Sequence, residues 1–212
     1  MPLPLVTERL VLRPLQPEDA VALWGEWNDP LVWRYVGAGV LPARERIERG
    51  ASLLSQMYLD RGWSGLLVSR RSDGRVLGEC GLYPWRQDGR ETGAVELGYR
   101  FGREHWGQGY AGEAARAVLA WASGELGFTD LVCVVQEANT ASRRIAERLG
   151  FRLQDTWHHD VGGVLVHDCW YQWTASGCSR SSTGLGGSSA GRRPRVPMSD
   201  SLRGRQAGPP AR

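Results

Sequence analysis

Apolar and polar side chains alternate in strand fashion over residues 6–15, where Val6, Leu10, Leu12 and Leu15 are interleaved with Arg9 and Arg13. Pro17-Glu18-Asp19 then opens a helix. Proline fits a first turn because the N–H it lacks would be unpaired there, and the two acids suit the positive helix end. Ala20, Leu23, Trp24 and Trp27 form its apolar side, and Asn28-Asp29-Pro30 stops it. A second helix follows Pro42, with Ile47, Ala51, Leu54 and Tyr58 at helical spacing. Three strands come next: Trp63–Ser69, Arg75–Tyr83 and Ala94–Phe101. Ser72-Asp73-Gly74 and Gln87-Asp88-Gly89 between them predict turns, hence an antiparallel meander. After Gly107 the period changes again. Ala111, Ala114, Ala115, Val118, Leu119 and Ala122 mark one face of a long helix ending near Gly127. Leu131–Val135 is continuously apolar, as a strand buried on both faces would be. Asn139–Leu149 reads as a helix closed by Gly150, and two last strands surround Gly162-Gly163.

This order predicts an α+β fold with a mixed, mostly antiparallel twisted sheet of about seven strands and about four helices. From about Ala175, Ser, Gly, Arg and Pro dominate. Such a stretch cannot offset its ordering entropy, so residues 1–174 are expected to form one domain and 175–212 a disordered tail. Truncation after Thr174 is expected to change thermal stability and ligand affinity by less than about 1 kcal/mol, the scale of one point mutation.

Composition excludes more than it identifies. Apolar residues make up 42% of the chain and charged residues 23%, with a net charge of +3. These are the proportions of a globular domain, and the charge is too small and dispersed for a nucleic-acid binder. All the basic side chains are Arg, with no Lys, as the codon bias of a GC-rich bacterial genome would produce. The N-terminal residues do not resemble a secretory signal, and no apolar run approaches the roughly 20 residues of a membrane helix. A cytoplasmic location is expected. Cys80, Cys133, Cys169 and Cys178 lack metal-ligand spacing and read as free thiols, and no metal site is expected.

Gly107, Gly109 and Ala111 stand directly before the long helix. Small residues let a backbone approach a ligand closely, and the unpaired first-turn N–H groups form an anion site together with the helix dipole. The pattern is neither a P-loop, since no Gly-Lys-Ser/Thr follows, nor a dinucleotide fingerprint, since the third glycine is missing. A plain strand-to-helix turn remains the alternative.

The string from Glu96 to Ala114 resembles motif A of the GNAT N-acetyltransferases, and above all their RimJ/RimL-like branch. Asn139–Phe151 is similar to motif B, and Thr7-Glu-Arg-Leu-Val-Leu-Arg-Pro14 also matches that branch. The resemblance covers residues 6–173. It implies a GNAT fold and transfer of an acetyl group from acetyl-CoA to an amine acceptor, a small molecule or a protein N-terminus, by a monomer or homodimer. The family's Q/R-x-x-G-x-G/A becomes Trp106-x-x-Gly109-x-Ala111, departing at its first position. The backbone of Trp106, Gly107, Gln108, Gly109, Tyr110, Ala111 and Gly112 would then hold the CoA pyrophosphate. Leu97, Gly98 and Tyr99 would line the pantetheine arm, where the two central strands splay in the family.

Amide formation needs a base for the amine proton and a donor for the developing oxyanion. Glu96 is the expected base, on the strand that would carry the thioester, with a salt bridge as its alternative role. Glu79 is second, and His105 lies at the rim. The tyrosine that many family members place on the motif B helix is replaced by Ala146. Ser142, one turn earlier, is expected to meet the CoA sulfur, and Asn139 to cap the helix and reach the cofactor; capping alone is the alternative for both. Trp24, Trp27, Trp33 and Trp85 fall where the family builds its acceptor site and read mainly as core, lining of the amine pocket by one or two of them being the alternative. Asp168 reads as structural, satisfying backbone donors. Two other readings stay open: another acyl group such as succinyl, or a noncatalytic acyl-CoA-binding sensor.

Overall fold

The computed structural model describes residues 3–87 and 90–175. Residues 176–212, and with them the expected tail and Cys178, lie outside these. The strands are β1 (Leu5–Val6), β2 (Leu10–Pro14), β3 (Gly65–Arg70), β4 (Val76–Gln87), β5 (Arg90–Phe101), β6 (Asp130–Gln136), β7 (Arg152–Val161) and β8 (Val164–Thr174). The helices are α1 (Ala20–Trp27), α2 (Pro30–Trp33), α3 (Arg44–Arg61), α4 (Tyr110–Gly124) and α5 (Thr140–Arg148). The strands form one sheet in the order β1-β2-β3-β4-β5-β6-β8-β7. Every neighbouring pair is antiparallel except β5 and β6.

The α+β class, the mostly antiparallel sheet and the meander are as the pattern predicted, and the approximate counts resolve into eight strands and five α-helices among the described residues. Residues 6–15 are not one strand. Thr7 reverses the chain: its N–H donates to Leu10 O at 2.9 Å, and its Oγ1 accepts from Leu10 N at 2.9 Å. The segment therefore folds as the hairpin β1–β2, which brings the sheet to eight strands among the described residues. A fifth α-helix, α2, begins where a stop was expected, because Asp29 Oδ1 accepts from Leu31 N at 2.9 Å and Pro30 occupies its first turn.

The sheet is covered on both faces, and alternation along β3 shows how. Leu66 and Val68 pack in the cluster that contains Ala114, Ala115 and Val118 of α4. Leu67, between them, packs with Leu23 of α1 and Ile47 and Ala51 of α3. Successive strand side chains point to opposite faces, so α4 lies on one face and α1–α3 on the other. Ala146 of α5 belongs to the α4-side cluster. Cys80, Cys133 and Cys169 are buried free thiols.

Candidate active site

The pairing between β5 and β6 is the point from which the site is built. These parallel neighbours share one register pair, Glu96↔Val132. On its other edge β5 is paired with β4 through Phe101, including Leu97↔Leu82, Gly98↔Gly81 and Tyr99↔Cys80. The edge of β5 at Leu97–Tyr99 that faces β6 is thus open, as the splay implied by the resemblance requires. Leu97 is 1% exposed with its side chain in the core, so it can offer a ligand only its backbone. Gly98 lies under the ring of Tyr83; a Cβ at Gly98 would sit 3.2 Å from Tyr83 Cε2.

Beyond Phe101 the chain makes a short 3-10 turn at Arg103–His105 and enters α4 through an exposed loop. Gly107 has φ +74 and Gly109 φ +83, a left-handed conformation that side chains disfavour. Gly109 is the N-cap of α4, and no side chain caps it. The first-turn N–H groups therefore face outward as donors for an anion. A Cβ at Gly107 or Gly112 would meet nothing within 4 Å, so the surface over the loop is open. Trp106 Nε1 donates to Phe101 O at 2.9 Å, and Gln108 Nε2 to Glu104 O at 2.7 Å. From the far end of the sheet, Arg9 Nη1 donates to Gln108 O at 2.9 Å while Arg9 Nε meets Glu113 Oε2 at 2.6 Å. Thr7 Oγ1 donates to Glu113 Oε1 at 2.6 Å. The β1–β2 turn thereby braces the start of α4.

Glu96 stands at the β5–β6 register pair. It is half-buried, and Val134 N, on the β6 side of the opening, donates to its Oε1 over a long 3.4 Å. Burial pushes its carboxyl up to about 7, the Val134 bond works against this, and the charge of Asp168 adds to it. Glu96 thus changes protonation near neutrality, the range that suits proton exchange with an amine. Glu79, the second candidate, is buried 4.0 Å from Arg100 Nη1. Burial raises its pKa and Arg100 opposes the rise. Arg100 is itself held over the rings of Trp33 and Trp27, 4.0 and 4.8 Å from their centroids. Glu79 is one member of that packed group.

Asn139 and Ser142 meet at the start of α5, where Asn139 takes the capping role. Asn139 caps α5, its Oδ1 accepting from Ser142 N at 3.2 Å. Ser142 Oγ lies 2.8 Å from the hydroxyl of Tyr99, across the gap from β5. Ala146 is 2% exposed, inside the core.

Three groups of residues take roles apart from this centre. His105 is buried, with Nε2 2.8 Å from Glu26 Oε2, a tie between the loop and α1. His105→Ala is expected to lower the unfolding free energy by about 2–4 kcal/mol, from the lost bond and the cavity left behind. Urea denaturation measures this. Among the described residues Asp168 takes a side-chain partner where backbone donors were expected. Its Oδ2 lies 2.8 Å from His159 Nε2, a side-chain partner nine positions earlier across the β7–β8 hairpin. Of the four tryptophans, two are buried and two are partly buried against the core. Trp27 and Trp33 are buried and meet edge-to-face, Trp24 packs against the same cluster, and Trp85 packs on Trp157 and Trp170.

Sequence reasoning missed Arg9 as a brace of the loop, the Tyr99–Ser142 contact and the Glu96–Val134 bond. Only Arg9 had a signal, its place within the Thr7–Pro14 string. Among the described residues no group of His, Cys, Asp or Glu could hold a metal, and no helix is long and apolar enough to cross a membrane.

Comparisons with known proteins bear on the family and the fold. The Acetyltransferase (GNAT) domain family matches residues 9–152. YkkB of Bacillus subtilis (strain 168) is 33% identical over 153 residues, 72% of this chain and 87% of YkkB. The N-acetyltransferase p20 of Bacillus licheniformis is 31% identical over 152 residues, 70% of this chain and 82% of p20. Among solved structures, an acetyltransferase from Agrobacterium tumefaciens str. C58 superposes with a TM-score of 0.65 at 28% identity, covering 82% of this chain and 95% of that one. RimL, a ribosomal L7/L12 α-N-protein acetyltransferase in complex with CoA, gives a TM-score of 0.67 at 16% identity, covering 80% and 96%; at that identity the likeness is one of fold. The chain belongs to the GNAT family and is an N-acetyltransferase.

Proposed function

We propose that the protein transfers an acetyl group from acetyl-CoA to a primary amine by direct attack in a ternary complex. Acetyl-CoA supplies an acyl group already activated as a thioester. The observation that carries this reading is a carboxyl titrating near 7, Glu96, at the one rung joining β5 to β6 beside an open strand edge. In this reading the backbone of residues 106–112 receives the pyrophosphate, several N–H bonds acting together because the helix dipole alone contributes only about 0.3–2 kcal/mol. The β5 edge at Leu97–Tyr99 pairs with the pantetheine amides. Glu96 takes the proton the amine must lose, directly or through water. Asn139 holds the start of α5 so that the Ser142 hydroxyl meets the departing sulfur. The leaving thiolate needs little more, since a thiol's pKa is about 8.5.

Thiol release from acetyl-CoA tests the proposal, measured against a panel of small primary amines and peptide N-termini. Release that depends on the amine, with matching N-acetyl product by mass spectrometry, is the expected result. Faster release from succinyl-CoA would reassign the acyl group. CoA binding with no amine-dependent release across the panel would favour the sensory reading, to which the buried Ala146 in place of a tyrosine lends some support. Mass spectrometry of a ligand carried through purification narrows the acceptor further.

A further inference from the structure

Tyr99 enters the sequence reading only as a residue lining the cofactor arm, yet its hydroxyl is placed for more. Tyr99 leaves β5 on the same side as Val95 and Leu97, toward the core shared with α4 and α5. There its hydroxyl meets one polar side chain, Ser142 Oγ at 2.8 Å, and lies 3.5 Å from Ser142 O. Burial, first of all, holds the phenol far above its ordinary pKa, so it stays protonated at every pH the enzyme tolerates. A phenol that keeps its proton offers one O–H donor, and the nearest acceptor is Ser142 Oγ. Ser142 N is engaged by Asn139 Oδ1, which fixes the backbone that carries that oxygen. Accepting from Tyr99 polarises the serine O–H and turns it away from Tyr99. Chains of hydrogen bonds strengthen one another in this way inside a protein.

We infer that Tyr99 is a positioning residue that donates to Ser142 Oγ, so that the two hydroxyls together stabilise the CoA thiolate and supply from β5 what a tyrosine at position 146 would have supplied from α5. The inference rests on the placement of the CoA sulfur at Ser142 in the proposed function. The step balances without moving a hydroxyl proton. The C–N bond forms as the C–S bond breaks, the electron pair stays on sulfur, and the amine proton goes to Glu96. Ser142 donates a hydrogen bond to the sulfur anion, which solvent later protonates.

The test needs only CoA and the protein. The thiol of bound CoA is titrated by its ultraviolet thiolate absorbance in the wild type, Tyr99→Phe, Ser142→Ala and the double variant, with CoA affinity and melting temperature measured in parallel. The wild type is expected to titrate about 1–2 pH units lower than Ser142→Ala, the worth of one hydrogen bond to a charged atom. Tyr99→Phe should recover part of that difference when Ser142 is intact and none when it is combined with Ser142→Ala. Ser142→Thr, which keeps the hydroxyl, should restore sensitivity to Tyr99→Phe. An equal effect of Tyr99→Phe with and without the Ser142 hydroxyl, or none in either case, overturns the inference. Failure of the wild type to bind CoA would overturn the proposed function as well, whereas a thiol titration that shifts in Ser142→Ala but not in Tyr99→Phe overturns only the role given to Tyr99.

Discussion

Glu96→Gln is expected to lower kcat/KM at pH 7 by about 10²–10⁴-fold, the usual contribution of a positioned acid–base group. Glutamine keeps the shape and can still accept the Val134 N–H through its amide oxygen, so CoA affinity should hold. The pH profile carries the sharper prediction. Burial raises the Glu96 carboxyl to about 7, so the wild type should gain activity as pH rises through 7. A second rise should follow at higher pH as the acceptor ammonium loses its proton. The variant keeps only the second rise, and raising the pH should partly restore its rate. Stability moves in the opposite sense. With a native pKa raised above the unfolded value of about 4.3, the folded state binds the extra proton between those values. The wild type therefore loses stability from Glu96 as pH climbs from about 4.3 through 7, and Glu96→Gln removes that dependence. Steady-state acetyl transfer across pH 6–10 and denaturant melts across pH 4–8 measure both. Near wild-type turnover at every pH would make Glu96 structural and pass the base role to Glu79 or a water chain.

Gly109→Asp should weaken CoA by at least about 100-fold, since like charges brought together at a binding surface cost several kcal/mol. The substitution sets a carboxylate among the N–H donors that the pyrophosphate needs. A second cost comes from the backbone. Gly109 sits at φ +83, and a side chain there adds strain of about 1–2 kcal/mol. Gly109→Ala separates the two, because its Cβ meets only Arg9 Nη2 at 3.4 Å. Calorimetry with CoA should show a small loss for alanine and a large one for aspartate, with the far-ultraviolet circular dichroism of both retained. Equal losses would assign the effect to strain alone, and unchanged affinity for aspartate would place the cofactor elsewhere.

What the chain declares about itself follows from the range over which its signals act. The alanine stripe from Ala111 to Ala122 and the unbroken run at 131–135 are local patterns, and both become the elements they predict. The glycine loop before α4 is legible for the same reason, because a tight turn with outward-facing donors needs glycine at fixed spacing. The reversal at Thr7 escaped because residues 7–10 carry no glycine or proline to mark a turn, and the closing contact is Glu113, 106 residues away. Arg9 beside Gln108, and Tyr99 beside Ser142, are likewise products of tertiary packing. Asp168 shows a different limit. A carboxylate can satisfy backbone or side chain, and only the β7–β8 register, which sets Trp157 opposite Asp168 and His159 opposite Val166, decides for His159.

A sheet whose fifth and sixth members share one rung is, mechanically, two rafts of five and three strands. Helical packing lashes them together: Leu97 on one raft and Cys133 on the other belong to a single cluster with Ala114, Val118 and Ala146. The backbone seam itself stays unstitched beyond Glu96 and Val132. A ligand lying in that seam touches both rafts at once and acts as mortar. By mass action it raises the free energy of parting them by about 2.7 kcal/mol at one hundred times its dissociation constant. On the proposed placement of CoA in that seam, the enzyme would be most tightly joined when loaded, and release of the spent cofactor would coincide with the loosening of its own frame.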